Sequence, residues 1–131
     1  PTEHGFTAVI TACARSGRPD CGERAQRVFD NMCKRFKEGD ETLRPSVRSY
    51  SALINAWASA GNPKRAEHIL QLMYDDHLDG NVFARPSVIA FNTVLSAWSK
   101  ERSMEALERA AQVLQTMQDL GHLQIAPDVI S

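Results

Sequence analysis

The sequence predicts an all-α protein, a solenoid of stacked antiparallel helix pairs, and three observations carry that prediction. One phrase occurs three times: F-T-A-V-I-T-A-C-A from Phe6, Y-S-A-L-I-N-A-W-A from Tyr50 and F-N-T-V-L-S-A-W-S from Phe91. A second phrase follows each copy: A-Q-R-V-F-D-N-M from Ala25, A-E-H-I-L-Q-L-M from Ala66 and A-A-Q-V-L-Q-T-M from Ala110. A proline and a short polar residue then close each unit, at Pro45-Ser46, Pro86-Ser87 and Pro127-Asp128. Units of this size stack into a continuous core, and such an array is read by its surface rather than by a single active site.

The units run over residues 3–46, 47–87 and 88–128, within a single array spanning 1–131. In the first, Phe6, Val9, Ile10 and Cys13 recur at helical spacing. At about 100° per residue they form one apolar stripe. Gly17, Pro19 and Asp20 then break the chain before the second phrase, where Ala25, Val28, Phe29 and Met32 form another stripe. In the second unit Tyr50, Leu53, Ile54 and Trp57 repeat the first stripe. Gly61-Asn62-Pro63 follows: a glycine just past one helix, a capping asparagine, and a proline opening the next. Ala66, Ile69, Leu70 and Met73 line that next helix. In the third unit Phe91, Val94, Leu95 and Trp98 form the stripe, and Ser103 is the candidate cap of the closing helix. Ser46, Ser87 and Asp128 stand as N-caps before a first helix. Small residues beside the stripe at Ala12, Ala56 and Ala97 predict close helix approach. No segment alternates with period two for long enough to argue a sheet.

Composition bounds the function. The 131 residues are 43% hydrophobic and 24% charged, as in a soluble globular domain. No apolar run approaches membrane-spanning length, so no membrane span is expected. Formal net charge is −1, distributed as +1, 0 and −2 over residues 1–46, 47–87 and 88–131. A general polyanion binder should be strongly basic, so any nucleic-acid binding must rest on a local face. Cys13, Cys21 (in an expected loop) and Cys33 have no metal-ligand spacing, and reduced structural thiols are expected. His68, His77 and His122 lack partner spacing and read as solvated; so does the helix-end cluster Asp75, Asp76 and Asp79. Ser51 and Cys13 have no His–acid pair spaced around them, so no catalytic residue is expected, and no metal or cofactor. Trp57 and Trp98 point into the core by wheel angle. The chain opens just before one unit and stops as Val129-Ile130 begins another, which leads us to expect a longer array.

The run Phe91-Asn92-Thr93-Val94-Leu95, with the later A-x-x-hydrophobic-hydrophobic-x-x-M and its closing proline, resembles the pentatricopeptide repeat. The resemblance covers essentially the whole chain, in units longer than the family's usual one. It implies a right-handed α-solenoid whose first helices line a groove for single-stranded RNA, about one base per repeat. It also implies a mitochondrial or chloroplast protein of RNA metabolism, monomeric and without catalysis of its own. In the family, the residue after the aromatic and the last residue of the unit select the base. Here those pairs are Thr7 with Ser46, Ser51 with Ser87, and Asn92 with Asp128. By that analogy the first two are purine readers leaning to adenine and the third reads uracil. The family's stacking place, two before the aromatic, holds His4, Arg48 and Ile89. Ile89 fits the usual aliphatic, and Arg48 is positioned to stack instead. Arg15 and Lys100 hold a place where the family often has a phosphate-binding basic residue; Ser59 breaks that row.

The wheel independently sets His4, Arg48, Ile89, Thr11, Asn55, Ser96, Arg15 and Lys100 opposite the apolar stripe. A polar face is what any surface helix shows, so it takes the resemblance to point it at RNA. Two other classes stay open. One is a protein-binding scaffold of tetratricopeptide type, although its L-G-x-x-Y signature is missing. The other is an enzyme whose catalytic domain lies outside this chain.

Overall fold

The structure, a computed structural model, describes residues 3–101 and 103–121. Among them are six α-helices and no strand: α1 (Glu3–Arg15), α2 (Cys21–Lys37), α3 (Val47–Ser59), α4 (Pro63–Leu78), α5 (Val88–Ser99) and α6 (Met104–Gly121). Each first phrase lies on α1, α3 or α5, and each second phrase on α2, α4 or α6. Helix α1 packs on α2, α3 on α4 and α5 on α6. The odd helices also pack in a row, α1 on α3 and α3 on α5, while α2 leans on α3 and α4 on α5.

The sequence starts and stops these helices as capping chemistry requires. Asn62 Oδ1 accepts from Arg65 N at 3.1 Å, with Pro63 as the first residue of α4. Gly61 before it sits at φ 78, a left-handed turn open to glycine. Ser87 Oγ accepts from Ala90 N, and Ser103 Oγ from Ala106 N at 3.1 Å. Asp20 precedes α2 but its carboxylate pairs with Arg24 at 2.8 Å instead of capping the backbone. The extra length of the first two units forms 3-10 turns, Glu41–Leu43 and Val82–Ala84. Each tucks back on its own second helix, with Leu43 and Ala84 fully buried. The closing serines therefore still stand directly before α3 and α5.

The core runs along the array. Tyr50, Leu53, Ile54 and Trp57 are buried, as are Phe91, Val94 and Trp98. On the second helices, Ala25, Phe29, Met32, Ala66, Ile69, Leu70, Met73, Val113 and Met117 are buried. Burying an aliphatic or aromatic side chain of this kind stabilises by about 1.5–3 kcal/mol. The Phe29 and Tyr50 rings tilt together at 5.1 Å, joining one unit to the next.

Two members of the expected pattern depart from it for one reason. Val9 is 49% exposed whereas its counterparts Leu53 and Val94 are fully buried. Ala12 is exposed whereas Ala56 and Ala97 are buried. These places face the preceding pair, and no described helix precedes α1. Leu114 shows the same effect at the other end: it is exposed, whereas Phe29 and Leu70 at that place are buried.

Other expectations are corrected. Cys21 is not in a loop but opens α2, buried, with its Sγ 3.4 Å from the Ala56 carbonyl oxygen. Asp76 is no solvated helix end: it accepts from the Tyr50 hydroxyl at 2.7 Å and from Asn81 Nδ2 at 2.9 Å. Asn81 Nδ2 also donates to the Pro45 carbonyl at 2.8 Å, tying the turn after α4 to the start of α3. His77 is half-buried, and its Nδ1 is buried with no partner among the described residues.

Candidate nucleic-acid interface

Because α1, α3 and α5 lie side by side, their polar faces meet in two adjacent clefts. The first, of about 590 Å³, lies between α1 and α3 and is lined by His4, Thr7, Thr11, Arg15 and Arg48. The second, of about 370 Å³, lies between α3 and α5 and is lined by Asn55, Ser59, Ile89, Asn92, Ser96 and Lys100. Helical period produces both. Residues two before, five and nine after the aromatic share the side away from the core, and the residue one after it sits on the flank. Thr11 Oγ1 donates to the Thr7 carbonyl and Thr93 Oγ1 to the Ile89 carbonyl, so both hydroxyls are occupied within their own helices.

Arg15, Arg48 and Lys100 are exposed, and no ion pair among the described residues engages them. Other cations are committed: Arg24 to Asp20, Arg44 to Glu41 and Arg109 to Glu67. Ile89 is 70% exposed, an aliphatic side chain open to solvent at the cleft. Asn92 is exposed beside it. The structure therefore gathers Thr7, Arg15 and Arg48 in one cleft, and Ile89, Asn92 and Lys100 in the next. Ser51 and Ser87 are half-buried on α3 and before α5, and line neither cleft. Asp128 lies outside the described residues, as do Pro127, Val129, Ile130 and His122.

Thr7 and Ser46 are brought together by a residue the sequence reading left out. Glu3 Oε2 accepts from Thr7 Oγ1 at 2.9 Å and from Ser46 Oγ at 2.8 Å. Ser46 also receives local support: its N donates to Ser49 Oγ at 2.8 Å, which donates back to the Ser46 carbonyl. The signal for Glu3 was an acid four residues before Thr7, at the place where Val47 and Val88 stand in the other units. Its bond to Ser46 spans 43 residues and has no trace in helical period.

Neither cleft gathers a nucleophile, a base and an orienting acid. No group of His, Cys, Asp and Glu among the described residues is arranged to hold a metal ion. No helix among them is long and apolar enough to cross a membrane. What the clefts offer is hydroxyl, amide, aliphatic and cationic groups in a row, the chemistry of base edges, base faces and phosphates.

Comparison with known families points the same way. The pentatricopeptide repeat domain matches residues 37–101, and the PPR repeat matches residues 5–35. The chain belongs to the pentatricopeptide repeat family, a family of non-catalytic helical repeats whose members generally bind RNA. No solved structure matched it.

Proposed function

We propose that this chain binds single-stranded RNA along the α1–α3–α5 face, with sequence selectivity and no chemistry of its own. One observation carries the reading: the row of first helices presents two consecutive clefts that each combine a cation with hydroxyl or amide groups. Arg15, Arg48 and Lys100 meet phosphates or, for Arg48, the face of a base. Ile89 packs on a base face. Thr7 with Ser46, Ser51 with Ser87 and Asn92 with Asp128 select bases, the last pair for uracil. Family membership supports placing this work in organellar RNA metabolism, with the array of units 3–46, 47–87 and 88–128 acting as a monomer.

Cross-linking tests the placement. Irradiation of the chain with 4-thiouridine-substituted single-stranded RNA, followed by peptide mapping, should label α1, α3 and α5. Label confined to α2, α4 and α6 would overturn it.

A second reading, protein binding, draws on one surface: Leu78, Val82 and Phe83 are all exposed at the end of α4 and in the turn after it. On this reading Leu78→Ser and Phe83→Ser variants lose a protein partner and keep RNA binding; loss of RNA binding instead would overturn it.

A further inference from the structure

The first and second units carry the same kind of base-selecting pair, two hydroxyls, yet the structure makes them chemically different. Glu3 Oε2 accepts the hydroxyl protons of both Thr7 and Ser46, at 2.9 and 2.8 Å. At the equivalent place the second unit has Val47, four residues before Ser51, and the third has Val88. A valine takes no proton. A hydroxyl has a single proton to donate. Hydrogen bonds to a carboxylate are roughly twice as strong as those between neutral groups, so a base acceptor does not win these protons back.

We propose that Glu3 is a third base-selecting residue of the first unit and turns its pair into a guanine reader. The proposal rests on the RNA reading above and departs from the adenine leaning that the hydroxyl pair alone implies. Thr7 lines the first cleft. With both protons committed to Glu3, Thr7 and Ser46 have only lone pairs left for a base, and the carboxylate bridging them adds acceptor capacity. The favoured base is the one with the most adjacent donors on its pairing edge. Guanine has two, N1–H and the N2 amino group. Adenine has one donor beside an acceptor, uracil one donor between two acceptors, and cytosine one donor beside two acceptors. Each of those three sets a lone pair against the carboxylate. The bland account of Glu3 is an acid favoured at a helix N-terminus. That account predicts a small change in melting temperature on substitution and no change in base preference.

The test is selection from a pool of randomised single-stranded RNA by the 131-residue chain, with the bound fraction sequenced. The wild-type chain should enrich guanine at one position. Glu3→Val, which installs the residue of the other units, and Glu3→Gln, which keeps the side-chain length but adds a donor, should both lower guanine-over-adenine enrichment there. The expected fall is on the order of tenfold, with the other positions unchanged. Thr7→Val should blunt selectivity at that same position, assigning it to the first unit. Retention of RNA with one unchanged profile across wild type, Glu3→Val and Glu3→Gln would overturn the role of Glu3 and leave the RNA reading standing. A wild-type chain that retains no RNA, or retains it with no preference at any position, would overturn both.

Discussion

The indole Nε1 of Trp98 donates to Oε1 of Glu67 at 2.9 Å, across the boundary between two helix pairs. Trp57 makes the matching bond to Gln26 at 3.0 Å. Both bonds span 31 residues, so the same inter-unit contact is built twice. Each tryptophan buries its ring in the array core and satisfies its one polar atom on the second helix of the preceding pair.

Trp98 is therefore central to cohesion between units. Trp98→Ala should cost about 3–5 kcal/mol in a urea melt, the usual range for emptying a large core site. Glu67→Gln keeps an acceptor for the indole and loses only the partly exposed pair with Arg109, 3.5 Å away. Its cost should stay below about 1 kcal/mol. Equal losses for the two variants would show that charge, not packing, joins the pairs.

Gly22 makes the joint between the first and second pairs tight, from the α2 side. A Cβ built there would lie 2.4 Å from Cε3 of Trp57. Alanine favours a helix over glycine by about 1 kcal/mol, so helix propensity alone predicts stabilisation. The Trp57 ring cannot yield easily, because it is buried and its indole is bonded. Overpacking costs about 1–3 kcal/mol and should win. Gly22→Ala should lower the melting temperature; a rise would mean the two units separate more readily than this packing implies.

Asn81 pins the loop that brings Ser87 to the start of α5. It donates to Asp76 and to the Pro45 carbonyl, and its Oδ1 accepts from Phe83 N at 3.1 Å. Asn81→Ala leaves buried partners unsatisfied and should cost about 1–3 kcal/mol. Tyr50→Phe removes one donor from Asp76 while Asn81 remains, so its cost should be smaller, about 1 kcal/mol. The reverse order by denaturant midpoint would contradict this network.

Alkaline pH should destabilise the fold. Burial, then the nearby charge of Asp30, pushes the Cys33 thiol from 9.0 up to about 11. Burial, then the hydrogen bond to Asp76, pushes the Tyr50 phenol above its usual range. Both groups keep their protons in the folded state and lose them sooner in the unfolded chain. The Cys33 contribution is complete below the ordinary thiol value and declines as pH rises from 9.0 through about 11, while that of Tyr50 begins to decline only above the ordinary phenol value of 10.0. The urea midpoint should fall over that window, and fall less in Cys33→Ala. A midpoint that holds steady or rises would refute the assignment.

How far the sequence reached depends on the kind of information each feature uses. The helices, the caps at Asn62, Ser87 and Ser103, and the burial of Trp57 and Trp98 follow from local period and local polar chemistry. Val9 and Ala12 fit the period but are exposed, because burial there needs a preceding pair. Cys21 and Asp76 gain their roles from residues on other helices, Ala56 and Tyr50. Glu3 is the clearest case: the clefts were legible from helical phase, but the carboxylate bridging Thr7 and Ser46 arises only when α1 meets the start of α3.

The central claim is that the α1–α3–α5 face holds single-stranded RNA. Fluorescence anisotropy with labelled RNA, at low and moderate salt, tests it most directly on the wild-type chain and an Arg15→Ala, Arg48→Ala, Lys100→Ala triple variant. The wild type should prefer single strands to duplex and weaken as salt rises. The triple variant should lose on the order of tenfold affinity for every sequence alike, since phosphate contacts carry no sequence information. A folded triple variant that binds as tightly as the wild type would contradict the account.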